Sequence, residues 1–246
     1  MKAMIFAAGL GTRLQPLTNT IPKALVVVGG KTMLEHVIEK LICAGTREIV
    51  VNAHHHAAVL KEYIERLDYQ GTRLRISDET DLLRDTGGGL WHARNFFNKD
   101  EPFIVYNVDV LCDINLRAML TAHKQSQALA TLAVASRKTS RFVLADASGR
   151  LSGWENTHTG KIILCKGIPR SQLQAKAFSG IHVISPRIFD LMKPQRVFPI
   201  MPEYLRLAND HHIACFEHDA RFWADIGTPE KLHQAKALYE NHPDRF

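Results

Sequence analysis

Short apolar segments alternate with helical patterns through the first 110 residues, and this alternation constrains the fold more than any other feature. The apolar stretches that resemble strands buried on both faces lie at residues 2–7, 48–52 and 102–110. After the first of them, "KTMLEHVIEKLICAG" predicts a helix in which Thr32 is the N-cap and Glu35 completes a capping box. Strands that alternate with helices form right-handed βαβ units, so we expect a Rossmann-like, mostly parallel mixed sheet sandwiched by helices.

The pattern changes after residue 126, where strand-like segments follow one another through turns. "ALATLAVASR", "RFVLADASGRLSGWEN" and "KIILCKG" are typical of strands, and "ASGR" supplies a hairpin-like Ser-Gly turn. The chain then returns to mixed patterns and ends in a helix over "TPEKLHQAKALYE". We therefore expect one domain over residues 1–246, with a β-rich insertion on the substrate side at about 137–176.

Charge and composition exclude several classes of partner. The net charge is +6, but the basic residues are scattered, and an anionic small substrate explains the excess as well as a nucleic acid would. No stretch approaches the ~20 apolar residues of a membrane span, and the four cysteines form no C-x-x-C. We expect a cytoplasmic protein without nucleic-acid or membrane partners, either a monomer or a small homo-oligomer.

The segment "AAGLGTRLQPLTNTIPKAL" (residues 7–25) follows the first predicted strand directly. Gly9 and Gly11 let backbone N–H groups approach an anion. Arg13 offers a planar fork for phosphate oxygens, and Lys23 offers a compact positive charge. The segment lacks the G-x-G-x-x-G pattern, and no acidic residue stands about 20 positions on, which disfavours an NAD-dependent dehydrogenase. We predict a phosphate-binding loop.

Two aspartates lie at predicted strand ends. Asp109 closes a buried strand, where ligands bind in open α/β sheets, and Asp225 lies between "RFWA" and "IGTPE". Magnesium takes oxygen ligands, typically one or two carboxylates together with substrate phosphates. The pair is therefore a candidate Mg²⁺ site.

Together these motifs resemble the sugar-1-phosphate nucleotidyltransferases, also called NDP-sugar pyrophosphorylases. Their signature, G-x-G-T-R-L-x-P-L-T followed by P-K, is present in the loop, and the resemblance continues through "DTGGGL", "YNVDV", "FSGIHVISP" and "WADIGTPEKL". The short enzymes similar to N-acetylmuramate-1-phosphate uridylyltransferase look closest, since no hexapeptide repeat occurs. The resemblance implies the nucleotide-diphospho-sugar transferase fold.

The resemblance also implies an activity: an NTP, with UTP favoured, and a sugar 1-phosphate would condense into an NDP-sugar and pyrophosphate by Mg²⁺-dependent in-line displacement. Arg13 and Lys23 would act on the phosphates, and Asp109 and Asp225 would be the metal ligands. A guanylyl-, thymidylyl- or cytidylyltransferase acting on another phosphorylated acceptor stays open. Val108 stands where the family usually has glycine, and it supports a second alternative, a catalytically silent nucleotide-sugar-binding sensor.

Of the remaining site residues, those in "DTGGGL" and "FSGI" follow from the resemblance, whereas Trp154, Glu155 and Asn156 are chosen for their chemistry, because the Glu-Lys pair that many relatives carry in the middle insertion is absent between residues 146 and 176. Three glycines in "DTGGGL" are expected just before a helix, with free N–H groups at its positive end. A Trp with a neighbouring acid and amide suits a sugar, although a hairpin with a packed Trp explains it equally well. The predicted nucleotide contacts are Ala8, Gly9, Gly11, Thr12, Arg13, Lys23, Thr86, Gly87 and Gly88. The predicted sugar contacts are Asn107, Trp154, Glu155, Asn156, Ser179 and Gly180.

Overall fold

A computed structural model describes residues 1–97, 100–165 and 167–246. Its strands, in chain order, are β1 (Lys2–Phe6), β2 (Val27–Val28), β3 (Lys31–Thr32), β4 (Glu48–Ala53), β5 (Arg73–Asp78), β6 (Phe103–Asn107), β7 (Val110–Cys112), β8 (Ala130–Ala135), β9 (Arg141–Ala145), β10 (Leu151–Asn156), β11 (Lys161–Leu164), β12 (Gln174–Ile184), β13 (Ile213–Glu217) and β14 (Trp223–Asp225). Its α-helices are α1 (Met33–Cys43), α2 (Ala57–Arg66), α3 (Asp85–His92), α4 (Leu116–Ser126), α5 (Ile188–Leu191), α6 (Ile200–Leu207) and α7 (Pro229–Asn241).

The central sheet has a parallel half and an antiparallel half. Strands β6, β1, β4 and β5 are parallel neighbours in that order. Strand β12 pairs antiparallel with β6, and β9, β10 and β11 continue from it to the sheet edge. β8 also pairs with β12, and β13 lies parallel to β8. The predicted Rossmann-like mixed sheet is confirmed.

Helices cover both faces of the sheet, and β1 buries apolar side chains on both of its sides. Ala3 and Ile5 belong to one core cluster with α1, α2 and α4, whereas Met4 belongs to a second cluster with α3 and α6. Successive strand residues point to opposite faces, so each strand feeds both clusters. Among the described residues, no helix combines the length and apolarity that crossing a bilayer requires.

Local sequence signals set the first helix as predicted. The Thr32 hydroxyl accepts a hydrogen bond from Glu35 N at 3.2 Å, and the Glu35 carboxylate accepts one from Thr32 N at 2.8 Å. This reciprocal pair is the capping box that the sequence indicates.

Two local predictions are wrong. Residues 102–110 are not one strand, because the chain turns at Val108–Asp109 and β7 then pairs with β14 instead of continuing β6. The glycines of "DTGGGL" do not precede a helix but lie inside α3. The strands predicted in segment 137–176 are present as β9, β10 and β11, although "KIILCKG" shortens to Lys161–Leu164 and residue 166 lies outside the described residues. The status of this segment as an insertion stays a prediction.

Candidate active site

A cavity of about 390 Å³ opens where the four parallel strands end. It is bordered by the residues that follow β1, β5 and β6 and by the end of β4. The carboxyl ends of parallel strands are where open α/β sheets bind ligands. The predicted site residues that line this cavity are Ala8, Gly9, Lys23, Thr86, Asn107 and Asp109.

The loop after β1 folds into three short 3₁₀ helices. Gly11 adopts a left-handed φ of 65° at the start of the first one, and its carbonyl accepts a hydrogen bond from the Thr18 hydroxyl at 2.8 Å. A methyl group added at Gly9 would meet no atom within 4 Å, so the loop backbone is open at this point. Thr12, also a predicted nucleotide contact, is exposed and does not line the cavity.

Asn52, which the sequence analysis missed, holds the start of this loop. Its side-chain oxygen accepts hydrogen bonds from Ala7 N at 2.7 Å and from Ala8 N at 3.2 Å. Its amide nitrogen donates to Glu79 Oε1 at 2.9 Å. All four residues are buried, so this network orders the backbone that faces the cavity.

Glu79 is the second residue that was missed. Its side chain is 0% exposed, yet it lines the cavity, and its Oε2 atom has no hydrogen-bond partner in the described part of the chain. Burial raises the pKa of this carboxyl group. Asn52 and Glu79 both lie at the ends of strand patterns, so the strand-end position that indicates Asp109 indicates these two residues as well.

Lys23 and Asp109 meet at one edge of the cavity, whereas Asp225 lies next to Asp109 in the fold but does not line the cavity. Lys23 Nζ contacts Asp109 Oδ2 at 2.5 Å. The Asp109 carbonyl accepts a hydrogen bond from Ile226 N at 3.0 Å, and β14 lies antiparallel to β7 with Asp225 opposite Val110. The predicted juxtaposition of the two acids is therefore observed, and the long-range pairing of β7 with β14 produces it.

Arg13 and Lys231 flank Asp225. A methyl group at Gly227 would come within 3.5 Å of the Arg13 guanidinium, so that guanidinium lies beside the turn after Asp225. Lys231 Nζ contacts Asp225 Oδ2 at 2.6 Å, and Gly227 N donates to Asp225 Oδ1 at 2.9 Å. Both predicted cations and both predicted acids thus share one region, while their roles in catalysis stay predictions.

The donor set at the two aspartates fits a hard divalent cation. Both carboxylates are partly exposed, and each is paired with a lysine. Within the described ranges there is no cluster of three or more His, Cys, Asp or Glu suited to a metal. Magnesium commonly uses only one or two carboxylates and completes its shell with phosphates and water, so Asp109 and Asp225 would suffice.

Val108 does not leave a branched side chain in solvent beside Asp109. It is 3% exposed and belongs to the core cluster on the α1 side of the sheet. Its backbone N donates to Phe6 O at 3.1 Å, which holds the turn between β6 and β7 against β1. Core packing therefore accommodates the branched side chain, and Val108 also lines the cavity.

A second cavity, of about 500 Å³, adjoins the first and shares Thr86 and Asn107 with it. Trp154 lines this cavity, as predicted for a sugar contact. Glu155 does not, because neighbouring strand residues point to opposite faces, and its carboxylate binds Arg170 in a two-point ion pair at 2.7 and 2.8 Å.

The other predicted sugar contacts have structural partners. Asn156 accepts from His158 N at 3.0 Å and so holds a turn. The buried Ser179 hydroxyl bonds to His218 Nε2 at 2.8 Å. Gly180, with a φ of 78°, packs so closely on Asn107 that a methyl group there would come within 2.9 Å of its amide nitrogen. None of these three lines either cavity.

Gly87 and Gly88 also have partners. Their N–H groups donate to Phe198 O at 2.9 and 3.1 Å, and both residues are buried. A methyl group at Gly87 would come within 2.4 Å of the Phe198 ring. The expectation of free N–H groups is wrong here, because the chain before α6 packs directly against α3.

Comparisons with known proteins agree with this architecture. The family model described as nucleotidyl transferase matches residues 2–242. The chain is 30% identical to the mannose-1-phosphate guanylyltransferase catalytic subunit beta of Dictyostelium discoideum, over 98% of this chain but only 65% of that protein. It is 31% identical to the N-acetylmuramate alpha-1-phosphate uridylyltransferase of Caulobacter vibrioides, over 96% of this chain and 95% of the relative.

Structural similarity extends over the whole chain. The crystal structure of a UDP-glucose pyrophosphorylase complexed with UDP-glucose matches with a TM-score of 0.78, at 18% identity, and covers 98% of each chain. At this identity the likeness concerns the fold. The family model, by contrast, covers nearly the full sequence, and curated relatives reach 31% identity. The chain belongs to the nucleotidyl transferase family.

Proposed function

We propose that this chain transfers the nucleotidyl group of an NTP to a sugar 1-phosphate and releases pyrophosphate. The observation that supports this most is that Lys23 and Asp109 pair at the edge of a strand-end cavity, while Arg13 and Asp225 lie together beside them. Two cations suit a triphosphate, and two acids suit the metal that accompanies it. The family membership and the names of the relatives point the same way.

The chemistry needs positioning and charge neutralisation more than a protein nucleophile. A sugar-phosphate oxygen attacks the α-phosphorus in line, the bond from that phosphorus to the β-phosphate oxygen breaks, and pyrophosphate leaves. The attacking phosphate is already ionised at neutral pH, so no general base is required. Arg13 would hold the leaving phosphates. Lys23, with three donors, would contact the α-phosphate while it retains Asp109.

Asp109 and Asp225 would hold Mg²⁺, our proposed cofactor. When bound, the ion supplies charge neutralisation on the nucleotide and sugar phosphates and orients them. Lys231 now pairs with Asp225, so it would release that carboxylate when the ion binds. Since Lys231 is 48% exposed at its side chain, this release needs only a side-chain rotation into solvent.

We propose UTP as the nucleotide. The uridylyltransferase relative is matched over 95% of its length, whereas the guanylyltransferase is matched over 65%. Glu79 lines the cavity, and its carboxyl group could receive the ring N–H of uracil. Guanine also offers ring N–H donors, so GTP is the competing outcome of the test below.

The sugar would occupy the second cavity. Trp154 offers an aromatic surface for a ring face, and Asn107, which borders both cavities, offers an amide for hydroxyls. Glu155, Asn156, Ser179 and Gly180 are left out of this proposed sugar site because their contacts lie elsewhere.

Pyrophosphate release tests the proposal. Each of the four common NTPs is incubated with Mg²⁺ and a panel of sugar 1-phosphates, and we expect release with UTP and one acceptor class. Arg13→Ala should lower turnover by roughly 10²–10³, the typical loss for one transition-state donor. Asp244→Asn, at an acid that is 80% exposed, is the matched control and should keep the wild-type rate. Binding of NDP-sugars without any release would contradict an enzyme and favour the sensor.

A further inference from the structure

The outer part of the second cavity is cationic. Among its lining residues are Arg141 and Lys161, and none of the described residues that line it is acidic. Neither side chain forms an ion pair with a described acid. His182 also lines the cavity, but burial lowers its pKa to about 3, so the imidazole stays neutral. The positive charge therefore comes from two free side chains.

Strand register brings those two side chains to one place. Arg141 on β9 and Lys161 on β11 are both paired with Asn156 on β10, so the three residues form one row across the strands. Two inter-strand spacings put the backbones of Arg141 and Lys161 about 10 Å apart. Both side chains are long and exposed, so both can reach one anionic group between them.

A second row lies next to the cationic one on the same face. It consists of Val143, Trp154 and Ile163. Trp154 is paired with both of the others, and each of the three lies two positions along its strand from a member of the cationic row. Two strand residues span about 7 Å, roughly the width of a sugar ring. A sugar packed on the Trp154 row would thus present its far substituent to the cationic row.

We propose that the acceptor is a sugar 1-phosphate that carries a second anionic group, a carboxylate or a phosphate, and that Arg141 and Lys161 bind this group. The proposal rests on the proposed function for the position of the 1-phosphate near Lys23. It also accounts for a sugar cavity without acids: hydroxyl recognition alone favours acidic partners, whereas an anionic substituent excludes them.

Matched acceptor pairs test the proposal. Glucose 1-phosphate is compared with glucose 1,6-bisphosphate and glucuronic acid 1-phosphate, and N-acetylglucosamine 1-phosphate is compared with its 3-O-lactyl derivative. In at least one pair we expect the wild type to favour the anionic member at least tenfold in kcat/KM. The preference should fall with added salt, because exposed charges are screened.

Substitutions test whether Arg141 and Lys161 cause the preference for the anionic acceptor. The double variant Arg141→Gln, Lys161→Gln should raise KM for the anionic acceptor about tenfold and change kcat/KM for its neutral partner less than threefold. Lys138→Gln, at an exposed neighbouring lysine that does not line the cavity, should behave as the wild type. Equal use of both members of every pair by the wild type, or a preference that survives in the double variant, would overturn the proposal.

Binding measurements distinguish a failure of this proposal from a failure of the proposed function. The same pairs are titrated into wild-type protein by calorimetry without NTP. If no combination releases pyrophosphate but anionic members still bind at least tenfold more tightly, the catalytic proposal fails and the cationic subsite stands. If both members bind equally, the subsite fails whatever the turnover assay gives.

Discussion

Replacement of Asn52 by alanine should both loosen the loop after β1 and destabilise the whole protein. Asn52 accepts from Ala7 N and Ala8 N and donates to Glu79 Oε1, and every partner is buried. Asn52→Ala removes all three hydrogen bonds and leaves two buried amides and a buried carboxyl oxygen without partners. Each lost bond contributes about 1 kcal/mol, and the unpaired groups add a desolvation penalty.

The three bonds alone amount to about 3 kcal/mol of unfolding free energy, and we take this as the lower bound of the loss. For a chain of 246 residues, each kcal/mol moves Tm by about 2–4 °C, so we expect a drop of roughly 6–12 °C. Thermal unfolding followed by circular dichroism measures it. The KM for UTP should rise as well, because the Ala7–Ala8 backbone is no longer held at the cavity.

Asn241→Ala is the matched control. Asn241 is exposed and donates one hydrogen bond to Ala237 O, so its replacement should change stability by less than about 0.5 kcal/mol. A Tm shift for Asn52→Ala as small as that of the control would show that these three hydrogen bonds do not stabilise the fold. Asn52→Asp makes the effect depend on pH. It sets a second carboxyl group against Glu79, whose pKa is already raised by burial. Its extra destabilisation should therefore grow as the pH rises and fade in acid.

Three further predictions concern packing, pH and the proposed metal site. Gly87→Ala should destabilise the protein by about 1–3 kcal/mol, because its methyl group would overlap the Phe198 ring, whereas Gly9→Ala should keep Tm and weaken only NTP binding in calorimetry. Burial lowers the pKa of His123 to about 4, so protonating it in the folded protein should cost about 3 kcal/mol, and this loss of stability should develop as pH falls from about 6.5 to 4; His123→Gln should flatten the unfolding profile there. Lys231→Ala should leave Tm unchanged within about 2 °C and lower the Mg²⁺ concentration needed for half-maximal NTP binding, and an unchanged requirement would remove Lys231 from competition for the site.

Sequence patterns correctly predicted the structural elements whose stabilising contacts join residues close together in the chain. The capping box of α1 needs only Thr32 and Glu35, three residues apart, and both hydrogen bonds form. The alternation of apolar strands with helices likewise predicted the parallel half of the sheet. The juxtaposition of loop and acids came from the family resemblance, because no local pattern joins Asp109 to Asp225.

The failures arise where distant chain segments meet. The break after β6 depends on β14, and the hydrogen bonds of Gly87 depend on Phe198. Neither contact has a local sequence signal. Glu155 is different: strand alternation alone puts it on the face opposite Trp154, so its pairing away from the sugar cavity could have been predicted.

The proposed function requires that one triphosphate is bound both by the cationic loop and by a metal held on Asp109 and Asp225. Calorimetric titration of UTP with and without Mg²⁺ tests it most directly, in the wild type and in the double variant Asp109→Asn, Asp225→Asn. We predict that Mg²⁺ tightens UTP binding at least tenfold in the wild type and has no such effect in the double variant. An equal Mg²⁺ enhancement in both proteins would contradict the account.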